Sequence, residues 1–186
     1  GIIVAPGFGS RGIEGKIKAV HYARTKKIPF LGICLGMQCA VVEFARNVLK
    51  MENANSIEID SETKFPVISM MEEQKKLKKM GGTMRLGGYK CDIEKGTLLH
   101  KIYKKETILE RHRHRFEFNN KYIKEFESKG LIFSGKNSKN QLMETIEIKD
   151  HPWFVGVQYH PEYKSTVENP HPIFLGLIEA GLKQSL

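Results

Sequence analysis

Hydrophobic positions in the first fifty residues of this chain follow two rhythms. The runs Ile2-Ile3-Val4 and Ile28 to Ile33 are short and nearly continuous, as in strands buried on both faces. Between and after them the apolar positions fall at helical spacing. In "IEGKIKAVHYARTKK" Ile13, Ile17, Val20 and Ala23 share one face, and basic residues gather at the end, where the helix dipole favours them. In "LGMQCAVVEFARNVL" the stripe is Met37, Ala40, Val41, Phe44, Ala45 and Val48. Strand, helix, strand, helix predicts a parallel sheet with helices packed on its faces.

The second half is richer in strands. "GTMRLGGYKCDI", "ETILERHRHRFEF", "LIFSGK", "QLMETIEI" and "PWFVGVQY" are strand candidates. "NKYIKEFESKG" predicts a helix closed by glycine, and "HPIFLGLIEAGLK" a terminal helix. The charge-dense "MMEEQKKLKKMGG" is expected to be a loop. With no repeat, low-complexity segment or linker, residues 1–186 are expected to form one α/β domain, a mostly parallel open sheet with helices on both faces. A chain that opens on what reads as a central strand is also expected to lack natural sequence upstream.

Composition narrows the classes. A length of 186 residues is enough for a full core, and 40% apolar with 27% charged residues is ordinary for a globular protein. No apolar run approaches the roughly 20 residues that span a bilayer, and no signal-peptide pattern is present. Three cysteines argue against a disulfide scaffold and for a reducing compartment, so a cytoplasmic location is expected. The net charge of +9 admits a nucleic acid, a phosphate-bearing small molecule, an acidic neighbour or a solvated lysine-rich surface. "EEQKKLKKM" and "KIYKKE" read as solvated faces.

The chemistry gathers where the second strand meets its helix. Gly32-Ile33-Cys34-Leu35-Gly36 has the form G-x-C-x-G, the cysteine counterpart of the G-x-S-x-G nucleophile elbow. Glycines flank such a turn because larger residues would collide with the strand and helix beside them. A helix N-terminus favours the reactive thiolate, and its N–H groups can hold an oxyanion. The competing reading makes Cys34 a small apolar residue in a tight site. Cys39 and Cys91 read as packing residues, and no cysteine–histidine spacing fits zinc. A cysteine nucleophile needs a base, and the base an orienting group. "VGVQYHPEY" supplies both: His160 ends an apolar strand, where open α/β sheets build their sites, and Glu162 lies within reach of one imidazole nitrogen.

"PFLGICLGMQ" with a distant "HPE" resembles the class I glutamine amidotransferases of the Cys-His-Glu type. "GFGSRGIEGKI", "AVVEFARNVL", "ENANSIE", "GGTMRLG", "ERHRHRFEFNN" and "DHPWFVGVQYHPEY" narrow the resemblance to the amidotransferase domain of the CTP synthase family, across nearly the whole chain. The resemblance implies a flavodoxin-like fold and L-glutamine as substrate. It makes Cys34 the nucleophile, His160 the group that protonates departing ammonia and then activates water, and Glu162 its orienter. It places the oxyanion hole on the N–H groups of Gly7 and Leu35, and glutamine contacts on Phe8, Gln38, Glu58, Arg115 and Phe116. Those types suit the work. A guanidinium such as Arg115 grips an α-carboxylate with two parallel hydrogen bonds, a carboxylate such as Glu58 suits an α-ammonium, and Gln38 lies one helical turn beyond Cys34.

No metal or cofactor is implied for the glutaminase step. ATP and magnesium would belong to a synthetase domain of the same polypeptide, absent from this chain, where ammonia would aminate UTP to CTP. GTP activates some members, and the whole enzyme is implied to be a homotetramer with no membrane or nucleic-acid partner. Two departures stand out. The loop "APGFG" replaces the family's "PGGFG", so Pro6 has no N–H to donate while Gly7 keeps its own. The segment linked to GTP activation is here the short "EEQKKLKKM". In "ERHRHRFE" strand alternation sets Arg111, Arg113 and Arg115 on one face and His112 and His114 on the other. Arg115 is expected to line the site and the others to form structural or inter-domain ion pairs. The run also admits an RNA-binding reading, but the interleaved aromatics of an RNA module are missing. Two further readings compete with the CTP synthase family. One is the amidotransferase of another synthetase, such as those for GMP or carbamoyl phosphate, and the other is a silent binding module of the same fold.

Overall fold

The two apolar runs at the start of the chain become parallel neighbours, β1 (Ile2–Val4) and β2 (Phe30–Ile33). β10 (Phe154–Val157) lies on the other side of β2, again parallel, with Gly156 opposite Gly32. The computed structural model describes residues 1–70 and 84–185; the expected loop "MMEEQKKLKKMGG" lies, apart from Met70, outside the described residues. Among the described residues the remaining large-sheet strands are β5 (Arg85–Ile93), β6 (Thr107–His114), β8 (Leu131–Asn137) and β9 (Leu142–Ile148), in the order β1-β2-β10-β9-β8-β5-β6.

The α/β class holds, but the sheet is mixed rather than mostly parallel. β10–β9, β9–β8, β8–β5 and β5–β6 all pair antiparallel. Connection length is the reason. Parallel neighbours need a long crossover, which α1 (Ile13–Thr25) supplies between β1 and β2. The short link between β8 and β9 permits only a hairpin. Among the described residues β1 stands at one end of this strand order. A second, three-stranded sheet joins β3 (Asn55–Ser56), β4 (Pro66–Met70) and β7 (Phe116–Phe118). The sequence reading leaves β3 and β4 undetected and fuses β6 with β7.

Helices cover both faces, as expected. On one, α1 buries Ile13, Ile17, Val20 and Ala23, the face its periodicity marks. It packs on α2 (Leu35–Asn47), which is buried on every side from Leu35 to Ala45 because it lies between α1 and the sheets. The buried Glu43 of α2 is held by Arg24 through two contacts of 2.7 Å and by His21 at 2.8 Å, so its charge does not enter the core alone. Phe126 of α4 (Ile123–Ser128) completes this layer. On the opposite face α3 (Leu98–Tyr103) and α5 (Pro172–Ser185) bury Leu99, Ile173 and Leu177 against Leu31, Val155 and Trp153. The three parallel strands end together, so the loop after β1, the turn after β2 and the segment after β10 meet at one end of the sheet.

Candidate active site

Cys34 occupies that meeting point, between β2 and α2. Its backbone has φ 52° and ψ −104°, a region that L-residues rarely adopt and that stores strain. The flanking glycines are needed for close approach. A Cβ on Gly32 would lie 2.7 Å from the carbonyl carbon and oxygen of Gly36, and a Cβ on Gly36 only 2.0 Å from the Val4 oxygen. The Cys34 N–H donates to the Val157 oxygen at 2.7 Å, which ties the turn to β10. Strained geometry held by strand contacts on both sides is what a nucleophile elbow requires.

The thiol is 4% exposed. Burial pushes its pKa up to about 12, with Glu117, Glu162 and Glu58 adding to the rise while the Leu35 N–H opposes it. The helix N-terminus favours the thiolate, as the sequence suggests, but burial outweighs it, and Cys34 rests as a neutral thiol. It therefore needs a base. His160 follows β10, and its Nδ1 lies 2.6 Å from Glu162 Oε1, the carboxylate being turned back by the 3₁₀ turn Pro161–Lys164. The imidazole stacks on Tyr163 with 4.9 Å between ring centres. Its Nε2 is buried with no hydrogen-bond partner among the described residues, so it can take a proton.

Cys34 and His160 line one cleft of about 650 Å³ together with Pro6, Gly7, Phe8, Gln38, Glu58, Met84, Arg113, His114, Arg115, Phe116 and Tyr163. Eight of the ten residues singled out in the sequence line this cleft. The other two are Glu162, which stands behind His160, and Leu35, whose N–H faces the sulfur. A larger hollow of about 790 Å³ between α3, α5 and Trp153 is lined by lysines over apolar side chains, with no cysteine or histidine among its described lining residues. The chemistry belongs to the smaller one. Phe8 stands 89% exposed at the mouth. Glu58 Oε1 accepts from the Gly9 N–H at 3.2 Å, which pins the loop after β1 to the far side of the cleft.

"ERHRHRFE" resolves into three parts. Ile108, Glu110, His112 and His114 point inward along β6, while Arg111 and Arg113 are exposed. The alternation then breaks. β6 pairs with β5 and β7 with β4, so half-buried Arg115 sits at the switch between sheets, off the regular face assigned to it. The buried ion pairs of this region belong not to Arg111 or Arg113 but to Arg85, 2.6 Å from Glu144 and 3.4 Å from Glu117. Burial raises the pKa of both carboxyls, and Arg85 opposes the rise.

The sequence reading misses Gln158. Its Nε2 lies 3.6 Å from Cys34 Sγ, and its Oε1 accepts from Gln38 Nε2 at 3.2 Å. A wholly buried amide two residues before His160, at the end of the apolar run from Phe154 to Val157, is the available signal. Arg113, His114, Met84 and Tyr163 also line the cleft without having been assigned to it.

A family model described as glutamine amidotransferase class-I matches residues 1–180. A CTP synthase of Cytophaga hutchinsonii is 60% identical over 180 residues, which is 97% of this chain and 33% of the relative. A CTP synthase of Flavobacterium psychrophilum is 60% identical over 183 residues, 98% of this chain and 34% of the relative. The chain thus spans about a third of the length of these curated relatives. The solved glutaminase domain of Trypanosoma brucei CTPS with bound acivicin is similar at TM-score 0.92 and 38% identity, covering 98% of this chain and 70% of that one. A glutamine amidotransferase of Thermotoga maritima shares the fold alone, at TM-score 0.53 and 14% identity over 86% of this chain and 55% of that one.

Proposed function

The chain belongs to the class I glutamine amidotransferases, and from that premise we propose that it hydrolyses L-glutamine to glutamate and ammonia as the glutaminase part of a CTP synthase. The observation that carries the reading is one cleft holding both a cysteine on a strained elbow and a histidine braced at 2.6 Å by a carboxylate. The similarity to a glutaminase domain with bound acivicin supports it.

In this reading His160 Nε2 takes the Cys34 proton as Sγ attacks the side-chain amide carbon of glutamine. Negative charge developing on the amide oxygen is met by the N–H groups of Gly7 and Leu35. The C–N bond breaks, His160 returns its proton to the nitrogen, and ammonia leaves a thioester on Cys34. Water then gives a proton to His160 and attacks the thioester. The C–S bond breaks, Sγ recovers the proton, and glutamate departs. Glu162 keeps the imidazole in the required tautomer and offsets its positive charge. Arg115 holds the α-carboxylate, Glu58 the α-ammonium, and Gln38, Phe8 and Phe116 the rest. The step uses no metal or cofactor.

The fate of ammonia is part of the same proposal. A synthetase domain of the same polypeptide, with ATP and magnesium, would aminate UTP to CTP, with GTP as an effector and a homotetramer as the working form. The location would be cytoplasmic; no helix of the described residues is long and apolar enough to cross a membrane.

The test is intact mass and peptide mapping after incubation with diazo-oxo-norleucine, beside an assay of ammonia release. One adduct on Cys34, blocked by excess glutamine and absent from Cys39 and Cys91, is expected. Arg115→Ala should raise the glutamine KM more than it lowers kcat. No adduct on Cys34, either in this chain or in a full-length protein that contains it, would sink the reading.

A further inference from the structure

We propose that Gln158 is a catalytic residue of this site. It donates a side-chain N–H to Cys34 Sγ, and a one-way hydrogen-bond chain rooted at the Phe116 carbonyl locks its amide in the donating orientation. The inference deepens the glutaminase reading and rests on it.

The two ends of a glutamine amide have nearly the same shape, so their neighbours decide which end faces the sulfur. The Phe116 oxygen can only accept. Gln38 Nε2 lies 3.0 Å from it, so the Gln38 NH2 group points there. The second N–H of that group reaches Gln158 Oε1 at 3.2 Å. Gln158 is left with its own NH2 toward Cys34, at 3.6 Å. Turning Gln38 over would set its oxygen against the Phe116 and Gln158 oxygens, and turning Gln158 over would set its NH2 against that of Gln38, with both amides buried.

The root of the chain is held from behind. His114 Nδ1 lies 3.1 Å from the Phe116 oxygen and must therefore carry a proton. Its Nε2 lies 2.8 Å from His112 Nδ1, a distance with room for one proton between them. Burial, reinforced by nearby Arg85, holds both rings in the neutral form, with the pKa of His114 down at about 3 and that of His112 lowered further. The direction follows. His112 Nδ1–H donates to His114 Nε2, and His114 Nδ1–H donates to Phe116. With Gln38 on its other lone pair, that carbonyl is saturated, and the orientation passes along Gln38 and Gln158 to the sulfur.

An N–H aimed at a thiol gains little, whereas the same N–H aimed at a thiolate is charge-assisted. Gln158 therefore acts at the moments when Sγ is charged. One is when His160 removes the proton. The other is when the thioester C–S bond breaks and the electron pair returns to sulfur. Burial and the carboxylates Glu117, Glu162 and Glu58 all oppose that charge. Gln158 and the Leu35 N–H favour it.

Gln158→Met keeps the length and removes the donor. Alkylation of Cys34 by iodoacetamide between about pH 7 and 9, read by peptide mapping of the whole chain, should slow roughly 10- to 100-fold. The kcat for glutamine should fall by the same order while KM holds, because Gln158 does not line the cleft. An unchanged alkylation rate would overturn the proposal. A second measurement needs no variant. In the 15N-labelled chain His112 and His114 should both be neutral Nδ1–H tautomers, and one Gln158 side-chain N–H should shift when Cys34 is alkylated. An Nε2–H tautomer at His114, or a Gln158 N–H that ignores Cys34, would also overturn it. None of these readouts except kcat and KM needs turnover. A chain that gives them and releases no ammonia counts against the glutaminase reading alone.

Discussion

The corner that carries Cys34 and the wall that carries Arg115 close the same cleft and hold their shape by opposite means. The corner works by omission. Gly32 and Gly36 leave out the atoms that would drive the turn, α2 and the end of β1 apart. The wall works by compensation. Arg85, His112, His114, Glu117 and Glu144 are all buried, and each is tolerated through a partner among the others. Adding an atom therefore damages the corner, and removing one damages the wall.

The largest effect should come from breaking the wall. Arg85→Met leaves two buried carboxylates without their cation and should destabilise the chain by roughly 3–5 kcal/mol in urea unfolding. Replacing Glu117 and Glu144 by leucine as well should restore much of that loss. A loss below about 1 kcal/mol for Arg85→Met would mean that pairing does not hold the wall. Gly36→Ala tests the corner. Its Cβ would meet the Val4 oxygen, so a loss of roughly 1–3 kcal/mol and of Cys34 labelling is expected. Full stability and full labelling would show that close approach does not set the turn.

A pH series separates the two regions further. His114 has a folded pKa of about 3 against an ordinary 6.5. Between those values the unfolded chain binds the proton and the folded chain does not. The carboxyls of Glu117 and Glu144, raised by burial, oppose the trend, but the stability contributed by His114 should be fully present above about 6.5 and fall away as pH drops toward 3. His112 acts in the same direction. Urea midpoints at pH 7 and pH 5 should show the fall, and His114→Asn should reduce it. The smallest effect is expected at the mouth of the cleft. Phe8→Ala, at an exposed position, should change stability by no more than about 0.5 kcal/mol while raising the glutamine KM. A large loss of stability there would mean that the loop after β1 is part of the core.

The corner is legible in the sequence because its determinants are adjacent. Five consecutive residues spell the elbow, and "HPE" places base and orienter two residues apart. The face of α1 is legible because its burial follows one helical period. The wall is not, because its partners sit 32 and 59 residues apart along the chain and no local pattern joins Arg85 to Glu117 and Glu144. β3 is two residues long and β4 opens on a proline, so neither carries the alternation that marks a strand. Family resemblance places Arg115 at the cleft, which it lines, but strand alternation gives it the wrong surroundings. The alternation holds to His114 and stops where the chain leaves one sheet for the other.

The contact between Gly36 and the Val4 oxygen also limits how this chain can be re-engineered. With a Cβ on Gly36 landing 2.0 Å from a backbone atom, the alphabet at that position shrinks to a single letter, and the 2.7 Å clash at Gly32 does the same there. A library that randomised the elbow to seek new nucleophile chemistry would return glycine at both positions and variation only between them. The rim offers more freedom. Phe8 faces solvent, so altered substrate selectivity is better sought there than beside the sulfur.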